Sequence, residues 1–160
     1  MSMIMQYVRI QPEELRQLRT LLVADPDGAY DYVDEIADSD RWRSLDTDKA
    51  WAGLAFLLDR VGGSPVDVIH GGERLTEDEW GYAPPRLLPT GDVTAAAAFL
   101  AQTPFATLRR HFDPAAMTGI YPQIWRDDHA LDYLAILYEE QRRFFARAAA
   151  MGDALIVYLS

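Results

Sequence analysis

Cysteine is absent from the 160 residues. That excludes disulfides, thiol catalysis, iron–sulfur clusters and zinc sites built on thiolates, and a reducing cytoplasm is the compartment that fits such a composition. No run approaches the roughly 18 consecutive apolar residues of a membrane-spanning helix. The opening MSMIMQYVRI has neither a basic flank nor a small-residue cleavage site, so it does not read as a signal peptide. Histidine is scarce: His70, His111 and His129 form no HExxH-type ligand pair. His129 has Asp127, Asp128 and Asp132 near it, but acidic residues suit the start of a helix there. None of Ser2, Ser39, Ser44, Ser64 and Ser160 lies in a GxSxG elbow. Gly62-Gly63-Ser64 and Gly71-Gly72 lack the lysine and the spacing of a phosphate-binding loop. The acidic pairs Asp127-Asp128 and Glu139-Glu140 read as solvated helix residues. No catalytic residue, metal or cofactor is therefore assigned, and the reading leans away from an enzyme.

What is present fits an ordinary globular chain of one domain. Hydrophobic residues make up 49% and charged residues 25%, enough apolar surface to build a core in a chain of this size. Twenty-five acidic and 15 basic side chains give a formal net charge of −10. A negative field of that size opposes nucleic-acid phosphates and anionic membrane surfaces. It is compatible with a basic protein partner or a cationic ligand.

The periodicity predicts strands at both ends and helices between them. Met5–Ile10 reads as a strand. Pro12 then fits the first turn of a helix over Glu13–Ala24, with Leu15, Leu18, Leu21 and Leu22 on its buried side. Asp25-Pro26-Asp27-Gly28 is expected to break it, and an acidic helix follows over Tyr30–Asp38. Asp46 is expected to cap a helix over Thr47–Val61, whose Ala50, Leu54, Leu57, Leu58 and Val61 form one face. Gly62-Gly63-Ser64-Pro65 stops it. Val66–Ile69 is expected to be a short strand. An irregular stretch runs from His70 to Pro89, with a capping box at Thr76 and Glu79 and an edge strand at Arg86–Leu88. Thr90 is expected to cap a helix over Asp92–Gln102. Thr103-Pro104 starts another, reaching Phe112, and Asp113-Pro114 starts a single turn to Met117. The longest helix is expected over Asp128–Met151, with Leu134, Leu137, Gln141, Phe144 and Ala148 on one stripe. After Gly152, the apolar run Ala154–Leu159 reads as a central strand buried on both faces. The expected fold is α+β: a small mixed or antiparallel sheet including both terminal strands, its face covered by helices.

Four segments, in order and at their spacing, carry a family resemblance across nearly the whole chain. They are Leu45-Asp46-Thr47-Asp48-Lys49-Ala50-Trp51 with the helix behind it, Gly81-Tyr82-Ala83-Pro84-Pro85-Arg86-Leu87-Leu88, Phe112–Met117 running into Ile120-Tyr121-Pro122, and the long last helix ending in Gly152-Asp153 before a terminal apolar strand. Together with the methionine-rich opening, this pattern resembles the YfbM-like family of small bacterial proteins, domain of unknown function 1877. The resemblance implies an α+β fold and brings no established activity, substrate or cofactor. The turn continues Gln123-Ile124 where the pattern is richer in glycine, and Ala83 stands where glycine is expected.

Three places hold the candidate binding residues. Asp48, Lys49 and Trp51 cluster at a helix start, where Lys49 can hold an anion, or where Trp51 is simply core. Tyr82 and Arg86 lie on the proline-stiffened stretch; Arg86 can clamp a carboxylate or phosphate, or pair with Glu77, Asp78 or Glu79. Tyr121, Pro122 and Trp125 sit in a turn whose aromatics either line a binding surface or plug the core. Three readings compete. The first is a non-enzymatic protein-binding module with a basic partner, for instance an immunity- or antitoxin-like protein. The second is a small-molecule binder or enzyme with a cleft near Lys49, Arg86 and Tyr121. The third is a structural subunit whose aromatic turn only closes the core.

Overall fold

In a computed structural model, which describes residues 2–160, the apolar run Ala154–Leu159 forms strand β5 at the centre of a five-stranded antiparallel sheet. Met1, the first residue of the methionine-rich opening, lies outside the described residues. Strand β1 (Met5–Ile10) pairs with β5 from Met5 opposite Leu159 to Ile10 opposite Ala154. The ends of the chain thus form the middle of the sheet. Strand β2 (Ser44–Asp46) lies beyond β1, and β4 (Arg86–Leu88) and β3 (Glu73–Arg74) lie on the other side, giving the order β2-β1-β5-β4-β3. Alternation along β5 sends Ala154, Ile156 and Tyr158 to one face and Leu155 and Val157 to the other.

Helices cover both faces, not one. Helices α1 (Pro12–Ala24) and α2 (Pro26–Ser39) pack on the first, bringing Leu18, Ala29, Val33 and Ile36 against Val8, Ile10, Ile156 and Tyr158. The other face carries α3 (Trp51–Val61), α4 (Thr90–Ala101), α5 (Phe105–Arg109) and α6 (Ala130–Ala150). The larger core lies here, with Leu54, Leu57, Leu100, Leu134 and Phe145 fully buried around Tyr7, Leu155 and Val157. Such a three-layer arrangement explains why β5 is apolar at every position.

Several local expectations are corrected by the chemistry of the backbone. Helix α2 begins at Pro26, not Tyr30, because Asp25 serves as its cap: the carboxylate accepts the Gly28 N–H at 3.1 Å. Asp46 does not cap a long helix. It ends β2 and accepts the Asp48 N–H at 2.6 Å; Asp48 turns through φ +48°, a 3₁₀ turn follows over Asp48–Ala50, and α3 starts only at Trp51. Thr90 is the first helical residue of α4 rather than its cap, which is Pro89. The helix after Pro104 ends at Arg109 rather than Phe112. Thr76 and Glu79 head no helical turn; Trp80 bridges to Ala83 across Gly81 instead. Strand β4 is not an edge, since the two-residue β3 pairs with it on the outside.

Val66–Ile69 forms no strand. Its carbonyls turn inward to side chains: the Tyr7 hydroxyl reaches the Ile69 carbonyl at 2.8 Å and the Val68 carbonyl at 3.0 Å. The Gln141 side-chain amide donates to the same Val68 carbonyl at 2.9 Å and to the Tyr7 oxygen at 3.2 Å. With these carbonyls satisfied by side chains, the segment has no need of a ladder partner. Burial pushes the Tyr7 phenol well above its ordinary pKa, so it stays a neutral donor.

Another polar contact inside the fold is an ion pair. Arg9 on β1 and Asp153 at the entry to β5 are both buried and meet at 2.8 Å, and a second guanidinium nitrogen of Arg9 reaches the Trp42 carbonyl at 2.9 Å. Removal of one partner strands a buried charge.

The turn after α5 is fastened by Trp125, whose indole lies over Gly53 on α3. A Cβ at Gly53 would come within 2.4 Å of the ring. The Trp125 N–H donates to the Ile120 carbonyl at 2.8 Å, and the side chain is 2% exposed. Trp125→Ala is expected to cost about 3–5 kcal/mol. Gly53→Ala should cost about 1–3 kcal/mol by overpacking, despite alanine's better helix propensity. Urea unfolding checks both; a Gly53→Ala protein more stable than the parent would refute the packing described.

Candidate functional site

A groove of about 900 Å³ runs between α3 and the segment 62–70, closed at one end by Gly119, Ile120 and Tyr121. Its floor and walls come from helix periodicity. Trp51, Ala52, Ala55, Phe56 and Asp59 recur at three- and four-residue spacing on the side of α3 that flanks the core, where all but Asp59 are half-buried. Gly62 and Gly63, at φ +71° and +81°, swing the chain out of the helix so that 64–70 returns alongside it.

The aromatic end of the groove is rigid. Trp51 is tied by its indole N–H to the Met3 carbonyl at 2.9 Å, and the Tyr121 hydroxyl accepts the Met3 N–H at 2.8 Å. The Trp51 ring stands 5.8 Å from that of Tyr121 and meets His70 edge-on at 5.9 Å. His70 in turn pairs with Asp67, its Nδ1 3.0 Å from Oδ2, while the other carboxylate oxygen accepts the Ile69 and His70 backbone N–H groups. Burial is the largest single influence on the Asp67 carboxyl and opposes its ionisation. The hydrogen bonds and charge of His70, together with the Ile69 N–H, outweigh it and hold the carboxyl below its ordinary value. Ser64 is not joined to this pair, since its hydroxyl donates to the Val66 carbonyl. The arrangement is an oriented histidine beside aromatic walls, without the bonded serine that acyl-transfer chemistry would use.

The structure divides the candidate residues. Trp51 and Tyr121 come together on the groove. Trp125, from the same turn as Tyr121, points into the core. Pro122 is half-buried, follows a cis peptide and does not line the groove. Asp48 and Lys49 serve α6: Tyr133 donates to the Asp48 carboxylate at 2.7 Å and accepts the Lys49 backbone N–H at 3.1 Å. Tyr82 is exposed, with its backbone N–H on the Leu159 carbonyl. Arg86 pairs with none of Glu77, Asp78 and Glu79; it donates to the Gly72 carbonyl at 2.8 Å, and Glu77 is held by Arg74. None of Asp48, Lys49, Tyr82 and Arg86 lines the groove. Asp67 and His70 were not among the candidates, although an Asp-x-x-His spacing between a Gly/Pro-rich stop and Gly71-Gly72 is a legible signal for a turn that orients a histidine.

Fold and groove define an α+β domain with a sheet sandwiched between helices and an aromatic-walled surface cleft. The chain belongs to the family described as Domain of unknown function (DUF1877), which matches residues 1–158. It is similar in fold to a protein of unknown function, YfbM from Escherichia coli. Its crystal structure superposes with a TM-score of 0.71 at 19% identity, covering 98% of this chain and 99% of that one. No curated protein matches the chain. No helix among the described residues is long and apolar enough to cross a membrane. A glycine-richer turn there has a structural reason, since Gln123 sits at φ +68°, whereas position 83, where glycine is expected, has no positive φ and fits alanine.

A depressed Asp67 carboxyl fixes the sign of a pH effect. Its contribution to stability is complete above the unfolded-state value of about 3.9 and is lost as pH falls through the lower folded value. Urea midpoints of Asp67→Asn should therefore lie below those of the parent near neutrality and converge with them in acid. A gap that persists unchanged below that range would contradict the assignment.

Proposed function

We propose that this chain is a non-enzymatic protein-binding module whose groove along α3 docks a basic protein segment carrying an apolar anchor. One observation carries this reading: the walls are aliphatic and aromatic, and apart from His70 the charged side chains that line them are the carboxylates of Asp59 and Asp67. Neither Lys49 nor Arg86 is there to capture an anion. An arginine or lysine next to an aliphatic or aromatic side chain would meet carboxylate and the fixed indole of Trp51 together. The Trp51 and Tyr121 rings are held by backbone hydrogen bonds, so little ordering cost remains for association.

The net charge of −10 would speed encounter with a cationic partner. A second concavity, where Asp27, Asp31, Asp78 and Glu79 surround Tyr30 and Trp80, adds to the same field. A neutralising, immunity-like role toward a basic protein is the form of the reading that this charge favours.

A pull-down from the source cell at low salt tests it, with Asp59→Lys as the matched variant because Asp59 is exposed and outside the core. A basic protein should be retained by the parent, be released as ionic strength rises past the roughly 10 Å screening regime of 0.1 M salt, and be lost from the variant. Retention of no basic protein, or equal retention by Asp59→Lys, would overturn the proposal.

A further inference from the structure

Against the overall acidity, three arginines converge at one place. Arg41, Arg143 and Arg147 line a pocket of about 340 Å³ between the turn before β2 and the C-terminal half of α6, together with Trp42, Leu45, Phe144 and Glu140. Glu140, Arg143, Phe144 and Arg147 follow the i, i+3, i+4, i+7 pattern, so they share one side of the helix. Trp42 is 47% exposed, in contrast to the buried Trp80 and Trp125. The Arg41 and Arg147 guanidiniums lie 4.5 and 4.3 Å from its ring centroid.

The arginines are little engaged by internal ion pairs. Among the described residues Arg41 and Arg147 make none, and Arg143 approaches Glu139 only at 3.8 Å with its side chain 77% exposed. Proximity to the negative C-terminal end of α6 accounts for Arg147, but it does not account for Arg41 or for an exposed indole between two guanidiniums. The turn that presents Trp42 is rigid. Its N–H donates to the Asp40 carboxylate at 2.9 Å, and its carbonyl accepts from Arg9, which is fixed by buried Asp153.

We propose that this pocket binds a small phosphate monoester whose organic part is flat and apolar. Among the residues that line the pocket, three guanidiniums against the one carboxylate of Glu140 leave two net positive charges, with Glu139 outside it shared between Arg142 and, at 3.8 Å, Arg143; that balance matches a phosphate dianion rather than a single carboxylate. Guanidinium forks suit phosphate oxygens geometrically. Phe144, Leu45 and the part of the Trp42 indole left open between the two guanidiniums supply the surface on which the organic group packs, and the volume lies at the small end of ligand sites.

Titration of the full chain with phenyl phosphate and with inorganic phosphate tests this, read by calorimetry and by the Trp42 indole N–H resonance. Phenyl phosphate should bind saturably and more tightly than inorganic phosphate. Arg143→Gln/Arg147→Gln, both at exposed positions, should weaken it about tenfold or more, and Glu140→Gln should tighten it. Absence of a saturable response to phenyl phosphate, or a response unchanged in the double arginine variant, overturns the site. Equal affinity for the two probes overturns the monoester assignment.

Discussion

The Tyr7 hydroxyl and the Gln141 amide, meeting on the inward carbonyls of Val68 and Ile69, hold three distant parts of the chain in one place. Tyr7 comes from the first strand, Gln141 from the last helix, and the carbonyls from the wall of the groove. All lie in the larger core, where a donor or acceptor left unpaired costs about 1–3 kcal/mol. The polar knot therefore dictates how α6 sits on the sheet and where the 64–70 segment runs. The groove exists because that segment is pulled down to β1 and α6 while the glycines at 62 and 63 carry it clear of α3. Asp67 and His70 are presented outward by the same turn that presents the two carbonyls inward.

Where a signal depended on short-range pattern, it could be read directly. Unbroken apolarity marked β5 as a strand buried on both faces, and the leucine spacing marked α1 and α3. Where satisfaction came from far along the chain, local pattern misled. Val66–Ile69 has the composition of a strand, yet its carbonyls are claimed by side chains 61 and 73 residues away. Asp25 and Asp46 illustrate the same limit at helix starts. Both are good caps by type, but only Asp25 has a helix immediately behind it; Asp46 is drawn into a ladder with Gln6. The covering of both sheet faces follows from β5 itself, because a strand apolar at every position demands two layers.

The candidate site was legible in part for a similar reason. Trp51 and Tyr121 stand out as aromatics at a helix start and a turn, and they do meet. That Trp125, four residues from Tyr121, plugs the core instead depends on Gly53, which leaves room for an indole on α3. Lys49 and Arg86 look like anion holders in sequence, but their surroundings hold their backbone or guanidinium for structural hydrogen bonds. Of the arginines that do gather, Arg41 stands 102 residues before Arg143 and its neighbour Arg147, and it meets them only once α6 packs beside β2. The acidic aromatic groove and the basic aromatic pocket are thus concavities of opposite character on one molecule.

Amide hydrogen exchange on Tyr7→Phe tests the central claim most directly. If the Tyr7–Gln141 knot positions the groove wall, loss of the hydroxyl should raise exchange selectively at Ile69, His70 and Gly71, with the α1–α2 layer unchanged. Exchange that rises uniformly across the protein, or not at all in that segment, would show that the groove wall is held by something else.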